Sequence, residues 1–290
     1  MYSRVHAMYS VSCREFLNAT PRRALESIPP KTPMRITARD LDALNQRLDT
    51  FTPEALLAWT AGTFGRRAAL LSSMQRAGTT LCHLADRAGH AFDVLFVDTG
   101  VLHAETLATR DVLARTHRHL AVVTLHPART FAAQCAAEGV LYLTKEGQER
   151  CCELRKSEPL RTAKGRYDAL VSALRRGEGG ARGRIRPVEL DAEMNALRVH
   201  PFVHADDAWL ARYAAEHDGV VLNPLHAMGF PTVGCFPCTT PVRADEAERA
   251  GRWRHLADVT YCGINPTDRA AREEPSVELD DRYHDALLRP

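Results

Sequence analysis

The residues of this chain best equipped for chemistry are cysteines, and four of them come in pairs. Cys151 and Cys152 are adjacent in "CCELRK", and Cys235 and Cys238 stand as Cys-x-x-Cys in "GCFPCT", more than eighty residues later. Bridging two neighbouring cysteines forces a strained ring on the backbone. Adjacent thiols make better sense as two ligands offered to one centre and completed by a second pair from elsewhere in the fold. Four thiolates suit a structural zinc ion or an iron–sulfur cluster. The separation of the pairs matches no usual zinc-finger spacing. Lys156, close behind the first pair, supplies a cation to offset the negative charge that such a centre gathers.

Cys262, in "TYCGINP", lies outside both pairs and ahead of a polar tail. A thiolate is the strongest side-chain nucleophile near neutral pH, and exposure on a movable segment is what a nucleophile needs. Cys82 in "TTLCHL" and Cys135 in "FAAQCAA" read as core or helix packing, and Cys13 as incidental.

These groups need a scaffold, and the pattern becomes regular from Ala38. "ARDLDALNQRLD" and "PEALLAWTAGTF" carry apolar residues at helical spacing, the second with Pro53 in its first turn. "RAALLSS" reads as a short buried strand leading into a helix that ends near Gly89. "AFDVLFVDTG" follows as a strand, then a helix around 103–117, the strand "HLAVVTL" and a helix near 128–138. "CCELRKSEPLRTA" is expected to be helical, "YDALVSALRR" and "RIRPVEL" strands, and "HADDAWLARYAAEHD" a capped amphipathic helix. Strands alternating with helices imply an α/β fold, a parallel twisted sheet with helices on both faces. Ligands of such sheets bind beyond the carboxyl ends of strands. Two loops fall there, "SSMQRAGT" with Ser72 and Ser73, and "DTGVLHAET" with Asp98, Thr99 and Gly100. Hydroxyls and N–H groups at a strand end before a helix suit a phosphate, although a simple N-cap uses the same residues.

Of the 290 residues, 45% are apolar and 26% charged, with a net charge of +2, which favours no particular partner. Between Arg150 and Arg186, eleven Lys or Arg face four Asp or Glu, so either a solvated basic face or a pocket for an anion lies there. Eight cysteines with no signal-peptide-like run point to a reducing cytoplasm, and no apolar run approaches a membrane span.

Taken together, "CCELRKSEPL", "GCFPCTTPV" and the late "CG" resemble the assimilatory sulfonucleotide reductases of the iron–sulfur, adenosine 5′-phosphosulfate (APS) reductase type. The resemblance covers roughly residues 40–265 and extends to "FVDTGVLHAET", "NPLHAMGFPTVGC" and "AERAGRW". It implies an adenine-nucleotide α-hydrolase-like fold. It further implies a [4Fe–4S] cluster on Cys151, Cys152, Cys235 and Cys238, with Lys156 between cluster and substrate. Ser72, Ser73 and the Asp98–Thr99–Gly100 turn would hold the adenosine. Arg176, Arg182, His226, Arg249 and Arg252 would surround the phosphosulfate, as guanidinium forks suit oxyanions. Cys262 would be the nucleophile, and thioredoxin or a similar thiol the reductant. No nucleic acid or membrane partner is implied, and a homo-oligomer is compatible with the family.

The chain departs from the family pattern in three places. Met74-Gln75-Arg76-Ala77-Gly78 replaces the usual Phe-Gly-Ala-Glu-Asp, Tyr261-Cys262-Gly263-Ile264-Asn265 replaces Glu-Cys-Gly-Leu-His, and "RRGEGGAR" replaces Arg-Arg-Asp-Gln-Ser-Pro. The expected organisation is an N-terminal extension over 1–35, partly disordered, a reductase domain over 36–260, and a mobile tail over 261–290 carrying Cys262. Alternatives are a reductase for the 3′-phosphorylated substrate (PAPS), or a redox sensor holding a cluster or zinc without catalysis. An ATP-pyrophosphatase of the same fold would need a Ser-Gly-Gly-x-Asp-Ser loop, which the sequence lacks.

Overall fold

Local chemistry sets the elements in the order in which the chain supplies them. In a computed structural model that describes residues 32–256, 265–268 and 275–289, β1 (Pro33–Thr37) leads into α1 (Asp42–Leu48) and α2 (Pro53–Phe64). Thr52 caps α2 by accepting the Ala55 N–H, and Pro53 takes the first helical position, where its missing N–H costs nothing. Three strand–helix units follow: β2 (Ala68–Leu71) with α3 (Arg76–Arg87), β3 (Phe92–Val97) with α4 (Ala104–Thr116), and β4 (Leu120–Leu125) with α5 (Phe131–Glu138). After α6 (Lys145–Cys152) come a π-helical turn (Glu153–Ser157) and α7 (Glu158–Arg161). The chain then re-enters the sheet as β5 (Ala169–Ser172), folds into the hairpin β6 (Val188–Asp191) and β7 (Ala196–Val199), and continues as α8 (Asp207–Glu216). It closes with β8 (Ser276–Asp280) and α9 (His284–Leu288).

The main sheet has the order β4–β3–β2–β5–β7–β6, parallel throughout except for β6 at the edge, which runs antiparallel to β7. Its two faces are read from alternate residues of the same strands. Leu70, Val94 and Val171 pack with Leu57 of α2, Leu81 of α3 and Leu210 of α8. Ala69, Leu95 and Leu170 point the other way, against Leu160 of α7 and Tyr167. Helices therefore cover both faces, as the alternation of elements implied.

The organisation at the two ends differs from expectation. β1 and β8 form a separate antiparallel ribbon, with Pro33 opposite Asp280 and Thr37 opposite Ser276. Val277, Leu279, Tyr283 and Leu287 are buried in the main core, and the Tyr283 hydroxyl donates to Asp168 (2.8 Å), which also pairs with Arg67. The expected mobile tail over 261–290 is thus corrected for residues 276–288, where burial of these side chains fixes the segment. The reductase unit likewise starts by Pro33 rather than at residue 36. Cys262 and the stretch 1–31 lie outside the described residues. Among the described residues no helix is long and apolar enough to cross a membrane.

Candidate active site at the cysteine pocket

Helical spacing delivers the first pair of thiols. Thr144 caps α6 by accepting the Gly147 N–H, and the helix ends on Cys151 and Cys152. One turn to either side of Cys152 stand Gln148 and Lys156, whose amide Nε2 and ammonium Nζ lie 3.0 and 3.6 Å from its Sγ. The helix widens into its π-turn immediately afterwards, a local irregularity that favours functional sites because it re-aims side chains. The second pair arrives on an extended loop, where Leu102 and Cys235 form an antiparallel bridge and the Phe236 N–H donates to Val101 O (2.8 Å). A short helical turn over Phe236–Cys238 then brings Cys238 inward.

All four thiols line one pocket, together with Lys156, Arg155, Gln148, Val101, Phe131, Tyr142 and Pro237. Cys152, Cys235 and Cys238 are buried and Cys151 half-buried. Burial pushes the Cys238 thiol up to about 11, with the Cys235 sulfur adding to it and Lys156 and Arg252 opposing. Burial also raises Cys151, against a hydrogen bond from Gln134 (3.7 Å) and the charges of Lys156 and Arg155. Among the described residues, no three His, Cys, Asp or Glu side chains converge at the spacing of a single metal ion.

The Asp98–Gly100 turn adjoins this pocket. Asp98 Oδ1 accepts the Gly100 N–H (2.8 Å), closing the turn. Thr99 is buried, with its Oγ1 3.3 Å from Cys235 Sγ. Gly100 has a φ of +74°, and a Cβ there would stand 3.1 Å from Arg155 Nη2, so glycine serves both the turn and the close approach of that guanidinium.

The Ser72–Ser73 loop is bound to a different partner. Ser72 is buried and accepts the Met74 N–H (3.2 Å), whereas Ser73 is exposed and accepts from the Gln75 amide (2.9 Å). His226 meets the start of α3: its Nε2 accepts the Arg76 backbone N–H (3.0 Å), while Nδ1 donates to Phe230 O (2.9 Å). Val233 N–H donates to Gln75 Oε1 (2.8 Å), and Asn223 Nδ2 to Met74 O (3.2 Å). The approach to the second cysteine pair therefore lies along the Ser72–Ser73 loop. His226 is engaged as a helix cap.

The five arginine and histidine positions expected around an anion are not gathered in one place. Arg176 donates to Ile185 O and pairs with Asp49 at the end of α1 (3.1 Å). Arg182 grips Asp268 with two parallel bonds, 2.9 and 2.6 Å, and also pairs with Glu178. Arg252 packs flat against Gly234, with its Cζ 4.3 Å from the Trp253 ring centroid, and Arg249 lies at 5.8 Å from the same ring. Arg252 and Trp253 flank the second cysteine pair, since Trp253 shares a buried cluster with Cys235 and Cys238. Arg252 Nε and Trp253 Nε1 are buried donors with no partner among the described residues.

Sequence reasoning missed Arg155, Gln134, Gln148, Trp253 and His103. Gln148 had a readable signal, four residues before Cys152 on a helix. His103, edge-on to Phe230 and Phe236 at 5.4 and 5.3 Å, had none, and burial holds its imidazole below the ordinary value. The two cysteines read as packing sit on helices. Cys82 is buried in α3, its thiol raised to about 12 by burial, and Cys135 is half-buried on α5.

Comparison with known proteins agrees with this geometry. The family described as "Phosphoadenosine phosphosulfate reductase domain" matches residues 67–241, from the start of β2 to just beyond the second cysteine pair. A curated adenosine 5′-phosphosulfate reductase of Streptomyces coelicolor is 37% identical over 233 residues, covering 79% of this chain and 96% of that protein. One of Mycobacteroides abscessus is 36% identical over 238 residues, covering 79% and 97%. A crystal structure of phosphoadenylyl-sulfate (PAPS) reductase from Candida auris in a phosphate complex superposes with a TM-score of 0.60 over 71% of this chain and 98% of that one, at 18% identity, and so shares the fold. With a matched region that spans the main sheet, the Ser72–Ser73 and Asp98–Gly100 loops and all four paired cysteines, the chain belongs to the sulfonucleotide reductase family.

Proposed function

We propose that this chain reduces adenosine 5′-phosphosulfate to sulfite and AMP, supplying sulfite for sulfate assimilation. The observation that carries the reading is the meeting of Cys151, Cys152, Cys235 and Cys238 with Lys156 in one pocket beside the Asp98–Gly100 turn.

The donor set fits a [4Fe–4S] cluster. Four thiols border one pocket, and two buried N–H donors, on Arg252 and Trp253, find among the described residues no acceptor of the kind that sulfide or thiolate would provide. When bound, the cluster supplies a fixed electrostatic environment at the thiol site. Lys156 and Arg155 offset the negative charge of the thiolates. Lys156, with Arg252 and Arg249, stabilises charge that moves onto the leaving phosphate. Ser72, Ser73 and the 98–100 turn position the nucleotide, and His226 orders the start of α3 beneath it.

Cys262 acts as the nucleophile. Its thiolate attacks the terminal sulfur, the sulfur–oxygen bond to phosphate breaks with its electron pair on oxygen, and AMP leaves an S-sulfocysteine. A thiol of a thioredoxin-type dithiol then attacks Cys262 Sγ, and sulfite departs with the pair of the sulfur–sulfur bond. The second thiol resolves the mixed disulfide, so the dithiol supplies both electrons. A reductant of this kind belongs to a reducing compartment, the cytoplasm.

Anaerobic purification is expected to give a brown protein with about four irons. It should release sulfite from APS in preference to PAPS, and mass spectrometry of enzyme plus APS without reductant should place a sulfo adduct on Cys262. Stoichiometric zinc in a colourless protein, or an adduct on another cysteine, would overturn the cluster or the nucleophile respectively. A redox sensor would release no sulfite.

A further inference from the structure

Arg155 is one of the most buried cations among the described residues, 2% exposed, and the charge it sets against the thiolates does not by itself account for its hydrogen bonds. Its side chain reaches across three elements. Nε donates to the carbonyl of Thr99 (2.6 Å), Nη1 to the Gln134 side chain (3.0 Å) and to Arg129 O (3.3 Å), and Nη2 to Arg129 O (3.3 Å). Phe131 closes one face of the guanidinium at 5.5 Å.

Both side-chain partners continue to a thiol. A guanidinium can only donate, so Gln134 must turn Oε1 towards Arg155. That orientation leaves Nε2 facing Cys151 at 3.7 Å. Thr99, held through its carbonyl, places Oγ1 at 3.3 Å from Cys235. One planar group thereby sets the hydrogen-bond partners of one cysteine from each pair. The same group braces the Asp98–Gly100 turn, because Nη2 lies against Gly100, where an added Cβ would stand 3.1 Å from it.

We propose that Arg155 is a positioning residue that couples nucleotide occupancy of the 98–100 turn to the thiols of Cys151 and Cys235. The inference rests on the reading of that turn as a nucleotide contact. A shift of Thr99 on nucleotide binding moves its carbonyl and its hydroxyl together. Arg155 carries the first movement to Gln134 and so to Cys151, while Thr99 carries it directly to Cys235. A lysine ammonium keeps the charge but cannot span three acceptors in one plane.

The test uses AMP as probe on the iron-loaded wild type and on Arg155→Lys and Gln134→Leu, with calorimetry ensuring saturation of each. In the wild type, AMP is expected to slow chelator-driven bleaching of the visible band by about tenfold, the scale of an outer-shell contact. In Arg155→Lys the rates with and without AMP should agree within about twofold. Gln134→Leu, which leaves the guanidinium in place, should give an intermediate ratio. A wild-type ratio of one, or an Arg155→Lys ratio equal to that of the wild type, overturns the coupling. If the purified chain holds no iron, the functional reading fails separately, and the coupling is decided by iodoacetamide labelling. AMP should then protect Cys151 and Cys235 in the wild type, neither in Arg155→Lys, and Cys235 alone in Gln134→Leu. Equal labelling of the wild type with and without AMP overturns it.

Discussion

The cysteine pocket and the arginine loop both concentrate positive charge, yet they use it differently. At the pocket, Lys156 and Arg155 turn towards sulfur and towards the groups that touch sulfur. Some twenty residues on, Arg176 and Arg182 turn towards carboxylates, Asp49 in one case and Asp268 with Glu178 in the other. A pair of buried thiols has few physical uses, so its position in sequence already narrows its role. A guanidinium is satisfied by any planar oxyanion in reach, including one that the chain itself provides. Arg182 shows this most clearly, because Asp268 lies six residues after Cys262 and its carboxylate is fully buried. The carboxylate occupies the fork that any external oxyanion would need.

The contrast can be broken at the thiols first, where the effect is largest. Cys262→Ser is expected to lower sulfite formation on the order of 10⁴-fold or more while iron content stays unchanged. Cys235→Ser should lose iron and activity together. Iron analysis beside a sulfite assay separates the two roles, and equal iron loss in both variants would merge them.

Next in size is the Arg182–Asp268 pair. Arg182→Ala leaves a buried carboxylate unpaired and should cost about 3–5 kcal/mol in urea unfolding. Arg182→Leu combined with Asp268→Leu should recover most of that, since an apolar pair of similar volume replaces a desolvated ion pair. Arg176→Ala, whose side chain is one-third exposed beside Asp49, should cost less than about 1 kcal/mol. Equal losses at the two positions would erase the distinction drawn between them.

His226 sharpens the comparison at intermediate size. Burial lowers its imidazole below the ordinary value of 6.5, opposed by the Phe230 carbonyl and assisted by the Arg76 charge. A base with a lowered pKa binds its proton more readily in the unfolded chain. Its contribution is therefore full above about 6.5 and fades as pH falls through the folded value. An imidazolium has no lone pair for the Arg76 N–H, so the KM for APS should rise about fivefold as the cap is lost, the scale of one helix cap. His226→Asn, which keeps an acceptor but does not titrate, should flatten that profile. A profile as steep as that of the wild type would remove His226 from it.

The smallest effect is expected at Arg76, in the first turn of α3, where the family usually carries acids. Arg76→Glu should raise the APS-to-PAPS ratio of kcat/KM by about threefold, through restored repulsion of an extra phosphate. An unchanged ratio would leave Arg76 out of the choice.

The central strands were legible because they are buried on both faces and read as unbroken apolar runs, "AALL" and "FDVLFV" among them. β7 was not, because Arg198 interrupts it; the structure neutralises that charge against Asp191 at 2.7 Å, a pairing invisible in a linear pattern. β8 was hidden in an acidic stretch, since only two of its side chains point to the core and its partner lies at the other end of the chain. At the site, the paired cysteines and Lys156 were readable from type and spacing. Arg155 and Gln134 were not, because a buried polar side chain is recognised by its acceptors, and these come from three separate loops and helices.

The ribbon of β1 and β8 also sets a schedule. As the chain leaves the ribosome, β1 waits for a partner more than two hundred residues downstream. The main sheet, the Ser72–Ser73 and Asp98–Gly100 loops and all four paired cysteines are synthesised before that partner exists. Such a long-range pairing forms late, and an unpaired edge strand is exposed to other chains in the meantime. A nascent protein halted before Ser276 would present all four thiols of the cysteine pocket on a body that lacks β8 and the Tyr283 contact to Asp168. Completion of the ribbon thus marks, in time, the point at which a chain that has passed β8 becomes distinguishable from one halted before it.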